Sequence, residues 1–415
     1  MNKNFLALGL AAALLAPQVA GAEGFAINEW SAEGVAMGGA RMFAEDDAAN
    51  VAYNPASITK VKGEAMKSSS TYLSPHGSYK LYDRTGAEIK DEPTHNKVHA
   101  GWAVGSYYVR QINDKEWFGI GAFPRFAMVS EFERASKAST NAFFSKLNGV
   151  SVTPTYAHKF DKKWSAAVGA EINYVGLELQ KNSYHPTYQM VLGATQTEGE
   201  SYALGWNAAA NYAFDDKNEI GVVYRSRITH SLEADFKMYP ASGGKITADA
   251  YGVVTLPDSW DIGYNHKFDK KTRLELKATR TNWSTYDALN VYFDKLVFGK
   301  PNALSDKNWE NGWRYAIGLE HNLSDKYAVM AGFAFDESSI PYEGGDFMVP
   351  TGLRRTYSIG ARYNDKKQTV AVALGWMDVG TLDFAGHPEK GDAYSSAHAY
   401  DSFTKIASIS YQRKF

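Results

Sequence analysis

No cysteine occurs among the 415 residues, and the ten histidines show no spacing that would gather ligands around a metal. Disulfides and thiolate sites are excluded. The Ser, His and Asp residues fall singly, without a base placed to activate a nucleophile. The chain is therefore read as a non-enzyme, with no catalytic residue, metal or cofactor. The residues whose type and position carry consequence are of another kind. Pro124 lies inside Trp117–Glu133, which otherwise reads as a strand. Proline offers no N–H to a ladder and is tolerated mainly at edges and bulges. The pairing should break near Pro124, Arg125, Phe126 and Ala127. Asn54-Pro55-Ala56 has the form of a turn start. In Thr272–Arg280, alternation sets Arg273, Glu275 and Lys277 on one face. Facing lipid at the midplane, each cation would cost about 2–4 kcal/mol. None of this is a constellation for bond making.

These residues must be held by strands. A short turn of Asp, Asn or Ser with Lys recurs at Asn113-Asp114-Lys115, Asp161-Lys162-Lys163, Asp215-Asp216-Lys217-Asn218, Asp269-Lys270-Lys271, Ser324-Asp325-Lys326 and Asn364-Asp365-Lys366-Lys367. Asp and Asn side chains bond the backbone just beyond them and favour tight turns. The spacing, roughly 40–55 residues, leaves room for two strands and one longer loop. Six turns join twelve strands. One more precedes them near Glu64–Ser74 and one follows near Asp401–Phe415, which makes about 14. Period-2 alternation supports the assignment. In Tyr202–Phe214 the even positions include Tyr202, Leu204 and Trp206, while the odd ones are small or polar, among them Asn207 and Asn211. The fold class is all-β, a transmembrane antiparallel barrel, with a soluble sandwich as the rival.

The N-terminus sets the compartment. Lys3, the apolar run Phe5–Ala16 and the small residues Ala20-Gly21-Ala22 form a secretory signal peptide over residues 1–22. Mean hydropathy is only −0.38, but barrel strands need about 9–11 residues and turn just one face to lipid. Aromatic content of 14% suits girdles at two interfaces. A formal net charge of −2 excludes a strong nucleic-acid reading. The short turns and both termini are assigned to the periplasm. The long connections, near residues 75–98, 134–147, 181–201, 238–251, 287–312, 337–355 and 378–401, face outside. Phe143 and Phe144 in one of them could line an external groove. Residues 23–62 do not alternate. They are rich in Gly and Ala, and are read as a plug inside the barrel of residues 63–415.

At this point a resemblance becomes specific. Gly24-Phe25-Ala26-Ile27-Asn28-Glu29, Asp46-Asp47-Ala48 and Asn54-Pro55-Ala56-Ser57-Ile58-Thr59 resemble the N-terminal hatch of the outer-membrane long-chain fatty acid and hydrophobic compound transporters, the FadL type. Leu256-Pro257-Asp258-Ser259-Trp260, Asn282-Trp283-Ser284, Trp313-Arg314-Tyr315-Ala316-Ile317-Gly318 and Gly332–Pro341 are similar to that family in the same order. The terminal Phe415 resembles the signal read by the barrel assembly machinery.

The resemblance implies a 14-stranded barrel in the bacterial outer membrane, plugged by a hatch that carries Asn54, Pro55 and Ala56. Ligand would pass from an external groove to an internal pocket and leave sideways beside a kinked third strand, at Pro124–Ala127. Lys181 matches a carboxylate-binding position, and Lys307 is aligned with another. Gly24 and Phe25 match the tip that reaches the pocket. The expected function is passive uptake of long-chain fatty acids or similar hydrophobic molecules. The alternatives are an aromatic hydrocarbon channel of the same fold, a water-filled porin for polar solutes, and a barrel hydrolase. The expected surroundings are outer-membrane lipid and lipopolysaccharide, with the chain a monomer.

Overall fold

A computed structural model describes residues 24–90, 94–98, 100–297 and 299–415. The signal-peptide reading, and Glu23 after it, lie outside the described residues. Fourteen antiparallel strands form the barrel wall. In chain order they are β1 Glu64–Tyr82, β2 Gly101–Gln111, β3 Glu116–Glu131, β4 Phe144–Lys159, β5 Trp164–His185, β6 Met190–Ala213 and β7 Asn218–Arg225 with Ile228–Pro240. They continue as β8 Ile246–Leu256 with Ser259–Lys267, β9 Thr272–Thr281 with Ala288–Val297, β10 Lys300–Asp306 with Gly312–Asn322, β11 Tyr327–Asp336, β12 Arg354–Asn364, β13 Gln368–Val379 and β14 Ser396–Lys414. β14 returns to β1 from Ala65↔Lys414 to Tyr82↔Ser396, so the sheet closes on itself. Closure satisfies the backbone that lipid could not.

The recurrent turn signature has one local cause. Asp161 Oδ1 accepts from the amides of Lys163 and Trp164 at 2.7 and 2.8 Å. Asp215, Asp269 and Asp365 repeat this geometry, and Ser324 Oγ does so more loosely. The six turns lie at one end of the barrel. Phe415 N–H bonds the Glu64 carbonyl at 2.9 Å and brings the C-terminus to that same end.

Tyr202, Leu204 and Trp206 point outward and are 71%, 77% and 50% exposed. Asn207 and Asn211 face the lumen, as do Glu275, Lys277 and Arg314. Each of the three charged groups is ion-paired: Glu275 with Arg273, Lys277 with Asp261, Arg314 with Asp336. The external connections are shorter than expected. Residues 181–201, 238–251 and 287–312 are largely strand: β5 and β6 stay paired to His185↔Met190, and β7 and β8 to Met238↔Ile246. Beyond the bilayer both faces meet water. Apolar alternation, the signal that reveals a strand in sequence, lapses there while the backbone ladder continues.

Residues 24–62 occupy the lumen. They contain α1 Ala32–Ala36, α2 Asn50–Tyr53 and a 3-10 turn, Pro55–Lys60. Isolated helices this short are not stable in water; the wall holds them. Ala32 N–H bonds Ser410 Oγ at 2.8 Å, Ala48 N–H bonds Gln412 Oε1 at 2.8 Å, and Asn54 Nδ2 bonds Asn211 Oδ1 at 2.7 Å. Lys67 Nζ reaches Glu33 at 2.8 Å and Asp47 at 2.9 Å. Arg41 bridges Asp47 at 3.0 Å and Glu320 at 3.2 Å. These partners come from opposite sides of the barrel, so the segment lies across the bore. Asn54 also caps the 3-10 turn, accepting from Ala56 N–H at 3.1 Å with Pro55 at the first position, where its missing N–H is harmless.

Candidate ligand pocket and wall opening

The lumenal segment begins in an aromatic box. The Phe25 ring lies 4.6 Å from Trp283, 5.5 Å from Tyr286, 5.7 Å from Trp309 and 6.1 Å from Phe126, mostly edge to face. Met128, Leu147, Val175, Leu232, Val254 and Leu289 extend the same apolar cluster. The wall strands supply the box by breaking. β9 is interrupted at residues 282–287 and β10 at 307–311, and both excursions turn inward, burying Trp283 completely and leaving Trp309 3% exposed. Gly24 has φ +63 and its Cβ position lies 2.6 Å from the Trp309 ring, so only glycine fits there. Its carbonyl accepts from Arg354 Nη2 at 3.1 Å. The indole Nε1 atoms of Trp283 and Trp309 are buried with no hydrogen-bond partner among the described residues. The box is an apolar cluster with two idle donors, closed around the chain's own Phe25.

The third strand breaks beside this box. β2 and β3 pair from Gln111↔Trp117 to Ser106↔Ala122 and no further. Gly101–Gly105 remain paired to β1, and β3 remains paired to β4 as far as Glu131↔Phe144. The ladder therefore lapses between two strands that each keep their other neighbour. Opposite β4, the register slips between Pro124 and Phe126, leaving Arg125 as the unpaired bulge residue. Gly149 lies across the bulge, and a Cβ there would sit 2.5 Å from the Phe126 carbonyl oxygen. The free edge of β3 is taken from inside: Ile27 N–H bonds Arg125 O at 2.8 Å, and Ala127 N–H bonds Phe25 O at 2.9 Å. A bulge bends its strand and re-aims a side chain. Here it turns Arg125 inward, where Nη1 meets Glu171 Oε2 at 2.8 Å.

The two lysines singled out by sequence sit higher, within electrostatic reach of each other and of Asp346 and Asp392. Lys307, in the β10 interruption, is 2% exposed. Its Nζ pairs with Asp346, and Met348 Sδ is 3.9 Å away. Lys181 lies on the external extension of β5, exposed and opposite Thr195. Asp392 shares its field. Burial raises the Asp392 pKa, against the lowering effects of the His387 amide and the Lys181 charge. Above the pocket, Phe347 packs on Tyr79, Phe132, Phe384 and Tyr394 at 4.9–5.6 Å and roofs the barrel. Phe143 is buried under Arg134, whose guanidinium lies 4.4 Å from its ring.

Sequence reading placed Gly24, Phe25 and the Pro124–Ala127 group, which the structure brings together, and left Tyr286, Trp309, Glu171 and Arg354 unassigned. Parity on β5 was the available signal for Glu171. For Tyr286 and Trp309 there was none, because they lie where the alternation stops.

A description of outer membrane protein transport proteins (OMPP1/FadL/TodX) matches residues 13–412 of the chain. The long-chain fatty acid transport protein of Escherichia coli K12 is 24% identical over 414 residues, spanning 89% of this chain and 91% of that protein. Outer membrane protein P1 of Haemophilus influenzae is 24% identical over 406 residues, with coverages of 87% and 86%. Among solved structures, a Pseudomonas aeruginosa FadL homologue superposes with a TM-score of 0.86 at 18% identity, covering 94% of this chain and all of that one. The Pseudomonas putida toluene transporter TodX gives 0.69 at 16% identity, with coverages of 94% and 99%.

Proposed function

Because this chain belongs to the OMPP1/FadL/TodX family of outer membrane transport proteins, we propose that it carries long-chain fatty acids or similar hydrophobic molecules across the bacterial outer membrane by passive diffusion. The family is one of transport proteins, so the chain is a transport barrel rather than an enzyme. The observation that carries the reading is the coincidence of the aromatic box with the halted β2–β3 ladder: Phe126 lines the first and sits at the second. An alkyl chain gains nothing by entering periplasmic water, where each exposed CH₂ costs about 0.8 kcal/mol. A side opening level with the pocket delivers it to lipid instead.

In this reading Lys181 at the outer rim makes the first contact with a carboxylate, and Lys307, buried and paired with Asp346, meets it only by exchanging that partner. Phe25 and Gly24 hold the pocket closed, and the Pro124–Ala127 bulge frames the exit. Asn54, Pro55 and Ala56 fasten the hatch. An open porin would leave the bore to water; here residues 24–61 pack in it, nearly all buried. Aromatic hydrocarbons are the second ligand class, favoured by a box built of rings and by the pairing of Lys307 with Asp346.

The test uses cells that depend on this barrel for fatty-acid uptake. Cysteines are placed one within Gly101–Gly105 and one within Pro124–Ala127, and joined by a reversible crosslinker that spans the opening. Uptake should stop on crosslinking and return on cleavage. Uptake indifferent to a verified crosslink would place the exit through the hatch.

A further inference from the structure

A cation interrupts the aromatic row on the lipid face of the barrel. The Trp206, Tyr224 and Trp260 rings follow one another around β6, β7 and β8 at 5.0 and 4.6 Å. The next member of the row, on β9, is Arg280, paired with Trp260 on one side and with Trp313 of β10 on the other. Thr279 and Thr281 on either side of it are buried toward the lumen, so Arg280 faces lipid. Its guanidinium lies 5.3 Å from the Trp313 ring. Farther around the wall, β14 repeats the arrangement. Lys405 lies opposite Trp376 of β13, its Nζ is 5.7 Å from the Phe403 ring, and Phe403 stacks on Trp376 at 4.4 Å. Its neighbours Thr404 and Ile406 are buried, while Lys405 is exposed.

Both cations sit at the outer edge of the membrane-spanning wall. Trp260 to Phe268, at the periplasmic turn, is nine residues, and Lys405 to the terminal Phe415 is eleven. One tilted crossing of the hydrocarbon takes about 9–11 residues, and aromatic rows mark its two interfaces. A cation at that level lays its stem on the apolar band and places its head among the lipid headgroups. Among the described residues, neither side chain has an ion pair or a hydrogen bond. Other outward cations nearby are already paired: Arg227 with Asp258 at 3.3 Å, Arg355 with Asp378 at 3.4 Å. The ring beside each unpaired cation attracts it without cancelling its charge. The anion that does so must come from the membrane.

We propose that Arg280 and Lys405 are two seats on the outer face of the barrel for the phosphate groups of lipopolysaccharide, with one lipid A moiety at each. The outer leaflet of a bacterial outer membrane carries its anionic charge as glucosamine phosphates where the acyl chains end, which is the level of these two side chains. The planar Arg280 guanidinium can take a phosphate through two parallel N–H bonds, and the Lys405 ammonium serves as a point charge. Trp260 and Trp313 flank the first seat, and Trp376 and Phe403 the second, so each phosphate is met by a cation and the adjoining acyl chains by flat rings. The seats stand whatever the barrel carries, because none of these residues faces the lumen.

The experiment uses the full-length protein, stripped of lipid and held in non-ionic detergent, with two probes: bisphosphorylated lipid A and the same lipid dephosphorylated. In native mass spectrometry the wild type should retain two phosphorylated lipids. It should favour them over the dephosphorylated form by about tenfold, the gain expected for one charge-assisted contact. Arg280→Gln and Lys405→Gln should each retain one lipid fewer, and Arg280→Lys should retain both. A Gln variant that keeps both lipids strikes its own seat. Equal retention of the two lipid forms by the wild type would overturn both seats, and displacement of lipid A by equimolar phosphatidylglycerol would overturn lipopolysaccharide as the occupant. The second measurement needs no variant. Phenylglyoxal modification of Arg280, mapped by peptide mass, should slow when phosphorylated lipid A is added, while Arg84, exposed in the turn after β1, reacts as before. A rate at Arg280 that ignores the lipid would sink that seat.

Discussion

The indole Nε1 of Trp30 donates to the carbonyl oxygen of Pro124 at 2.6 Å, joining the lumenal segment to the point where the third strand leaves its neighbour. Proline gives no N–H, and its carbonyl, turned from the β2 ladder, is satisfied from within the bore. Replacing Trp30 by Phe keeps much of the ring packing and removes the donor. The buried carbonyl is then stranded, at a cost of about 1–3 kcal/mol. Hydrogen exchange at the Ile27 and Ala127 amides, which clip this segment to β3, should quicken in W30F while the β5–β6 amides stay protected.

Gly149 is the counterpart on β4. Alanine there would place its Cβ 2.5 Å from backbone oxygen that belongs to the bulge. Either β3 moves or the strand pair loosens, and overpacking of this kind costs about 1–3 kcal/mol. Gly149→Ala should lower thermal stability and alter uptake together.

Lys181 is exposed, so its charge acts on approach rather than on retention. Lys181→Ala should slow fatty-acid binding at low ionic strength and leave the matching alcohol unaffected. The difference should shrink at physiological salt, where the screening length is about 8 Å. Stopped-flow binding at two salt concentrations measures this. Equal losses for both ligands would remove Lys181 from any carboxylate contact.

Asp392, buried in the external roof, has a pKa raised by desolvation, with the His387 amide and Lys181 acting the other way. Its folded pKa lies above its unfolded one, so the folded roof binds the proton more tightly. Stability of the roof should therefore rise as pH falls from neutral through that raised value, and fall again as pH increases. Asp392→Asn, which mimics the protonated group in shape, should abolish this dependence. Proteolysis rates of the external loops across the acidic range would show it. A slope unchanged in D392N would place the titrating group elsewhere.

Much of the barrel was legible in the amino-acid sequence because each signal there is local. Asp161, Asp215, Asp269 and Asp365 cap their own turns through amides two and three residues on, so the turn motif needs no distant partner. The alternation of Tyr202, Leu204 and Trp206 with Asn207 and Asn211 likewise records the two solvents on either face of one strand. Pro124 announced a broken ladder because its missing N–H is a property of the residue alone. What the sequence could not determine is what each break is used for. Trp283, Tyr286 and Trp309 meet around Phe25 only because two strand interruptions fold inward at the same height. Arg125 finds Glu171 because a bulge turns one residue against the pleat. Lys307 is neutralised by Asp346, 39 positions along the chain. Such contacts arise when a closed sheet brings remote segments to one level. Burial then decides which charges are paired and which donors stay free, and no spacing along the chain encodes that.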